Sequence, residues 1–134
     1  MEQLASRLDH PPLLIGDQSE ATLRGIARAA MRHAPEVAER LLDEVERADV
    51  VAESKVPDNV VRLGSFVTYQ VQPTGTINTI RLVPPREADL PRLRVSVVSD
   101  VGAALIGLRA GQQIDWMLGG GQHVLEVLRV AKEP

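Results

Sequence analysis

Apolar residues in the first third of the chain recur at the spacing of one helical face. Leu23, Ile26, Ala27, Ala30 and Met31 follow an i, i+3, i+4, i+7, i+8 pattern, and Val37, Leu41, Leu42, Val45 and Ala48 form a second stripe. A short extended run from Pro12 to Ile15 precedes the first stripe, and the side-chain oxygen of Asp17 or Ser19 is expected to cap a helix beginning near Glu20. Pro35 suits the first turn of the second helix, and the short connection between the stripes predicts an antiparallel helical hairpin. At the rise of an α-helix, each arm reaches about 20 Å.

From Pro57 the period shortens. Val60-Val61-Leu63, Phe66 to Val71, Ile77 to Val83 and Arg94 to Val98 read as extended runs, with Pro73-Thr74-Gly75 as a turn and Pro84-Pro85 as a stop. Val101 to Leu108 reads as a short helix ended by Gly107 or Gly111. Ile114 to Leu118, the Gly119-Gly120-Gly121 turn and Val124 to Val130 predict a closing hairpin. The expected class is α+β, with a short N-terminal antiparallel helical hairpin in residues 1–56 and a mostly antiparallel sheet domain carrying one short helix in residues 57–134. Charge divides at the same place, with eleven acidic and seven basic residues before Pro57 and seven acidic and eight basic from there on.

Composition narrows the function classes. Of the 134 residues, 44% are hydrophobic and 25% charged, but no apolar run approaches the length of a membrane span, so no membrane contact and a cytoplasmic location are expected. The absence of cysteine removes disulfides, thiolate metal sites and a cysteine nucleophile. Phe66, Tyr69 and Trp116 are the only rings, too few for a base-stacking platform. The net charge of -3 also argues against direct binding to nucleic acid, which favours a basic excess.

No set of residues reads as a nucleophile with its base. His10, His33 and His123 fall in different elements without metal-ligand spacing, and neither a metal site nor a cofactor is expected. Arg24, Arg28 and Arg32 share one helical face; they either pair with the acidic face holding Glu39, Asp43 and Glu46 or form a docking surface. Glu36 and Glu39 open the second helix. Their carboxylates either complement the helix dipole or, at the hairpin tip, help hold a hydrated magnesium ion in a partner's site.

Specific words of sequence carry a resemblance. Val61-Arg62-Leu63-Gly64-Ser65-Phe66-Val67, Ile80-Arg81-Leu82-Val83-Pro84-Pro85, Val95-Ser96-Val97-Val98-Ser99 and above all Val101-Gly102-Ala103-Ala104-Leu105-Ile106-Gly107-Leu108-Arg109-Ala110-Gly111 resemble the C-terminal domain of the GreA and GreB transcription factors. Asp100 replaces the usual proline, Gln112 the usual acid, and the hairpin is far shorter than the Gre coiled coil. These departures, with Pro12-Leu13-Leu14-Ile15, Leu42-Asp43-Glu44-Val45-Glu46-Arg47-Ala48 and Val56-Pro57-Asp58-Asn59-Val60-Val61, resemble a short-hairpin branch of that family.

The resemblance implies an FKBP-like sheet domain and a bacterial regulator that binds RNA polymerase near its secondary channel. It also implies a protein without enzymatic activity of its own that meets nucleic acid only through the polymerase; apart from the resemblance, a monomer is the default expectation, with pairing through two exposed sheet edges the alternative. A truncated hairpin implies competition with Gre factors without RNA cleavage; the alternative is cleavage stimulated through the tip carboxylates. By position on the family pattern, the polymerase-contact candidates are Arg32, His33, Glu36, Glu39, Asp100 and Arg109. Isomerase activity, which the FKBP-like fold would suggest, is not expected from so few rings.

Overall fold

The computed structural model describes residues 10–118 and 120–133; the first nine residues of the expected N-terminal segment and Gly119 of the expected turn lie outside the described residues. In chain order the elements are β1 (Leu14–Gly16), α1 (Asp17–Ala30), α2 (Pro35–Arg47), β2 (Asp49–Val51), β3 (Phe66–Gln72), β4 (Thr76–Val83), β5 (Arg94–Ser96), α3 (Asp100–Leu105), β6 (Gln113–Leu118) and β7 (Gly121–Ala131). The architecture is mixed α+β. No described helix is long and apolar enough to cross a membrane.

Both predicted stripes face inward. Leu23, Ala27 and Ala30 of α1 and Ala38, Leu41 and Val45 of α2 are buried, because their spacing places them on one side of each helix. Arg24 spans the pair, lying 3.9 Å from Glu46 as well as 3.4 Å from Glu20 on its own helix. Helix α1 begins at Asp17 rather than near Glu20, so Asp17 and Ser19 both lie inside it; Asp17 Oδ1 accepts the first-turn Gln18 N–H at 2.8 Å, but neither residue holds the N-cap. Gly16 holds the N-cap position and has no side chain to offer. Glu53, 34 residues further on, takes the Ser19 N–H at 2.8 Å and the Ser19 hydroxyl at 2.7 Å. A carboxylate at this end also complements the helix dipole.

The run before α1 has an unexpected partner. β1 pairs in parallel with β2, in the register Leu14 with Asp49, Ile15 with Val50 and Gly16 with Val51. The chain therefore enters and leaves the helix pair side by side.

The main sheet has the order β5-β4-β3-β7-β6. Its three central pairings are antiparallel as expected, but β4 and β5 run parallel. The intervening residues 84–93 are too many for a tight turn and include short 3-10 turns at Pro85–Glu87 and Leu90–Arg92, which carry the chain back before β5 begins. Val60-Val61-Leu63 is not a strand of the sheet. Its backbone pairs instead with the exit from α3: Val61 N–H donates to Leu108 O at 2.8 Å and Gly107 N–H donates to Val61 O at 3.0 Å.

One buried cluster joins these layers. It combines Leu13 and Ile15, the helical residues Leu23, Ala27, Leu41 and Val45, the sheet residues Val67, Tyr69, Leu82, Ile114, Leu125 and Val127, and Ala103 to Leu105 of α3. Burial of this aliphatic set is the main favourable term in its stability.

Candidate functional site

Four of the six candidate contact residues gather at one end of the helix pair. Residues 31–34 form the connection, so Arg32 and His33 stand on it while Glu36 and Glu39 follow in the first turns of α2; all four are exposed. None enters an ion pair among the described residues, and neither does Arg28. Of Arg24, Arg28 and Arg32, only Arg24 makes a cross-pair ion pair among the described residues, which leaves the other two exposed as a docking surface would require. The end of the pair thus presents two cations, two anions and a histidine without ion-pair partners among the described residues.

Asp100 sits behind this end. It begins α3 and lies 3.4 Å from Arg40, which is one helical turn beyond Glu36 on α2. Arg40 also reaches Met117 O at 3.5 Å and packs 5.9 Å from the Trp116 ring centre. It therefore ties α2 to both α3 and β6. With both side chains more than a third exposed, Arg40→Ala is expected to cost about 1 kcal/mol or less in a denaturant titration.

Arg109 stands apart from the other five. It follows α3 at the opposite end from Asp100, and its backbone forms an isolated bridge with Val60 and donates to Gln112 Oε1 at 2.8 Å. Its side chain is exposed.

Beneath Arg40 a cavity of about 260 Å³ opens between α2 and β6, lined in part by His10, Glu44 and Trp116. Glu44 is only 4% exposed. Arg47 grips both of its oxygens, at 3.0 and 2.7 Å, and donates to Pro11 O at 2.7 Å, fastening the chain ahead of β1 to α2. The i, i+3 spacing of Glu44 and Arg47 was visible in the sequence, but the burial of that acid was not. On the other side of the tip, Ile26, Ala29, Pro84, Pro85 and Val98 line a largely apolar groove of about 480 Å³, with His33 and Arg86 among its polar members. Sequence reasoning placed Pro84-Pro85 only as a strand stop.

The short helix holds its position through two local devices. Ser99 caps it, accepting the Gly102 N–H at 3.0 Å. Gly102 packs against β5 so closely that a Cβ would collide with the Ser96 carbonyl and Val97 Cα. A third device secures the helix pair: Arg62 Nη2 donates to Glu53 Oε2 at 2.6 Å while Glu53 caps α1. Desolvation raises the Glu53 pKa, but hydrogen bonds from Arg62 and Ser19 and the Arg62 charge outweigh it, bringing the carboxyl down to about 2.

Residues 56–132 match the family described as "Transcription elongation factor, GreA/GreB, C-term", and the chain belongs to that family. It is similar to "Regulator of nucleoside diphosphate kinase" of Escherichia coli K12, at 30% identity over 95% of this chain and 94% of that protein. It is also similar to "Transcription elongation factor GreA" of Rhodospirillum rubrum, at 34% identity over 86% of this chain and 73% of that one. A "Prokaryotic transcription elongation factor GreA/GreB from Nitrosomonas europaea" superposes with a TM-score of 0.69 at 28% identity, covering 90% of this chain and 98% of the other. The molecule is an elongation-factor-like regulator. Its relatives are named as regulators or elongation factors rather than enzymes.

Proposed function

We propose that the chain is a non-catalytic regulator that binds RNA polymerase near its secondary channel, using the helix pair as a short hairpin and an FKBP-like sheet domain as its base. Residues 1–56 form the first part and 57–134 the second. Arg32, His33, Glu36 and Glu39 meet the polymerase at the hairpin tip, with Asp100 behind them and Arg109 contributing from the sheet side.

Helix length carries the reading. At 14 and 13 residues, α1 and α2 each extend about 20 Å, so the tip stops short of a deeply buried active centre. The expected consequence is occupancy of the channel mouth without RNA cleavage, in competition with long-hairpin Gre factors. Nucleic acid is met only through the polymerase, the working unit is a monomer, and any change in nucleoside diphosphate kinase follows indirectly from transcription. Pull-down with purified core polymerase should show binding at micromolar protein and displacement by a Gre factor; absence of binding overturns the proposal.

A second reading gives Glu36 and Glu39 a part in cleavage. It is favoured by their exposure and freedom from ion pairs among the described residues. Addition of the protein to stalled elongation complexes distinguishes the two. Short RNA fragments that disappear with Glu36→Ala support cleavage, whereas polymerase binding without fragments supports the first reading.

A further inference from the structure

Strand β4 is covered along only part of its outer side. β5 pairs with Arg81, Leu82 and Val83, and the first hydrogen bond on that side runs from Arg81 N–H to Leu93 O at 2.8 Å. At Leu93 the backbone takes a left-handed conformation, with φ of 60°, and the chain turns away from the ladder. Leu82 N–H donates to Ser65 O, on the β3 side. Strand alternation therefore directs the peptide groups of Ile77 and Thr79 outward. No strand among the described residues covers them.

This edge lacks the usual protection against pairing. Thr76-Ile77-Asn78-Thr79-Ile80 contains no charge and no proline. Beside it lie conspicuously exposed large apolar side chains, Ile77 at 57%, Leu93 at 58% and Leu90 at 71%. A cavity of about 300 Å³, lined by Thr79, Arg81, Arg92, Leu93 and Arg94, opens where β5 leaves the ladder. Arg92 is paired with Asp89 at 3.6 Å, whereas Arg94 has no ion-pair partner among the described residues. Arg81 packs 5.2 Å from the Phe66 ring centre and donates its Nε–H to Gly64 O at 3.2 Å.

We infer that the outer edge of β4 is a second interaction surface, which captures an extended segment of a partner protein as an added strand, with apolar side chains over Ile77 and Leu93 and acidic ones beside Arg81, Arg92 and Arg94. Ile77 and Thr79 supply two donors and two acceptors to the segment, so main-chain bonding gives it affinity irrespective of its detailed sequence. The basic border selects for acids and sets the segment's position along the edge. This surface lies on the sheet, apart from the helix-pair tip, and does not depend on polymerase binding.

The probe is a fluorescein-labelled eight-residue peptide of alternating valine and threonine with two aspartates at one end, titrated with the full chain and followed by anisotropy. Binding with a Kd of about 100 μM or below is expected. N-methylation of alternate backbone nitrogens, or replacement of the aspartates by lysine, should weaken it about tenfold or more. Ile77→Lys should do the same, and the exposure of Ile77 leaves the fold intact. Thr79→Pro removes an outward donor while sparing the β3 side of the ladder. No binding at about 1 mM overturns the inference. So does binding unaffected by N-methylation and both variants, or a concentration-dependent dimer, broken by Ile77→Lys, that excludes the peptide.

Discussion

Replacing Gly102 with alanine should lower the unfolding free energy by about 3 kcal/mol, near the upper end of the cost of overpacking. The atoms that a Cβ would strike are backbone, the Ser96 carbonyl oxygen and Val97 Cα, and cannot swing aside as the end of a flexible side chain can. Relief requires α3 to move away from β5, disturbing Ala103, Ala104 and Leu105, all fully buried. Trp116, the only tryptophan and itself 7% exposed, provides the fluorescence signal for a denaturant titration. Gly25→Ala is the control. That glycine lies within α1 with nothing near the new methyl, so the substitution should add about 0.5–1 kcal/mol through helix propensity alone. Equal effects of the two changes would rule out the close approach of α3 to β5 as the cause.

Glu53→Ala should cost about 2–3 kcal/mol at neutral pH, because it leaves the Arg62 guanidinium and the Ser19 N–H without their shared acceptor. The acid limb of stability tests the same interaction. The carboxyl has a folded-state pKa of about 2 against an ordinary value of 4.5. A depressed carboxyl stabilises the fold fully above its unfolded value and loses that contribution as pH falls through the folded one. Wild-type stability should therefore decline between about pH 5 and pH 2, with a shallower decline in Glu53→Ala. Parallel acid limbs would show that Glu53 does not act as a charged clamp. Gly16 belongs to the same arrangement, since a Cβ there would run into the Glu53 carboxylate.

Features decided within a few residues were legible before the structure. The stripes through Leu23 and Leu41 mark both helices because a helical face repeats locally. Glu53 capping α1 and Arg40 pairing with Asp100 were not legible, being set by contacts 34 and 60 residues apart. The parallel entry of β5 was hidden for a related reason, since the apolar pattern of Arg94 to Val98 identifies a strand but not its direction. At the candidate site, the position of Pro35 foretold that Arg32, His33, Glu36 and Glu39 would cluster. The helix read from Val101 to Leu108 likewise already put Asp100 and Arg109 at its opposite ends.

The short β1–β2 ladder has an engineering consequence. By bringing Gly16 and Val51 into register, it turns everything between them into a cassette inserted at one seam. Whole helical turns can be spliced into both arms at the Met31–Ala34 bend while the seam, the Glu53 clamp and the sheet keep their places. Reach thus becomes a dial separate from the socket that carries it, and a graded series of lengthened arms would measure the depth at which a plug becomes a probe.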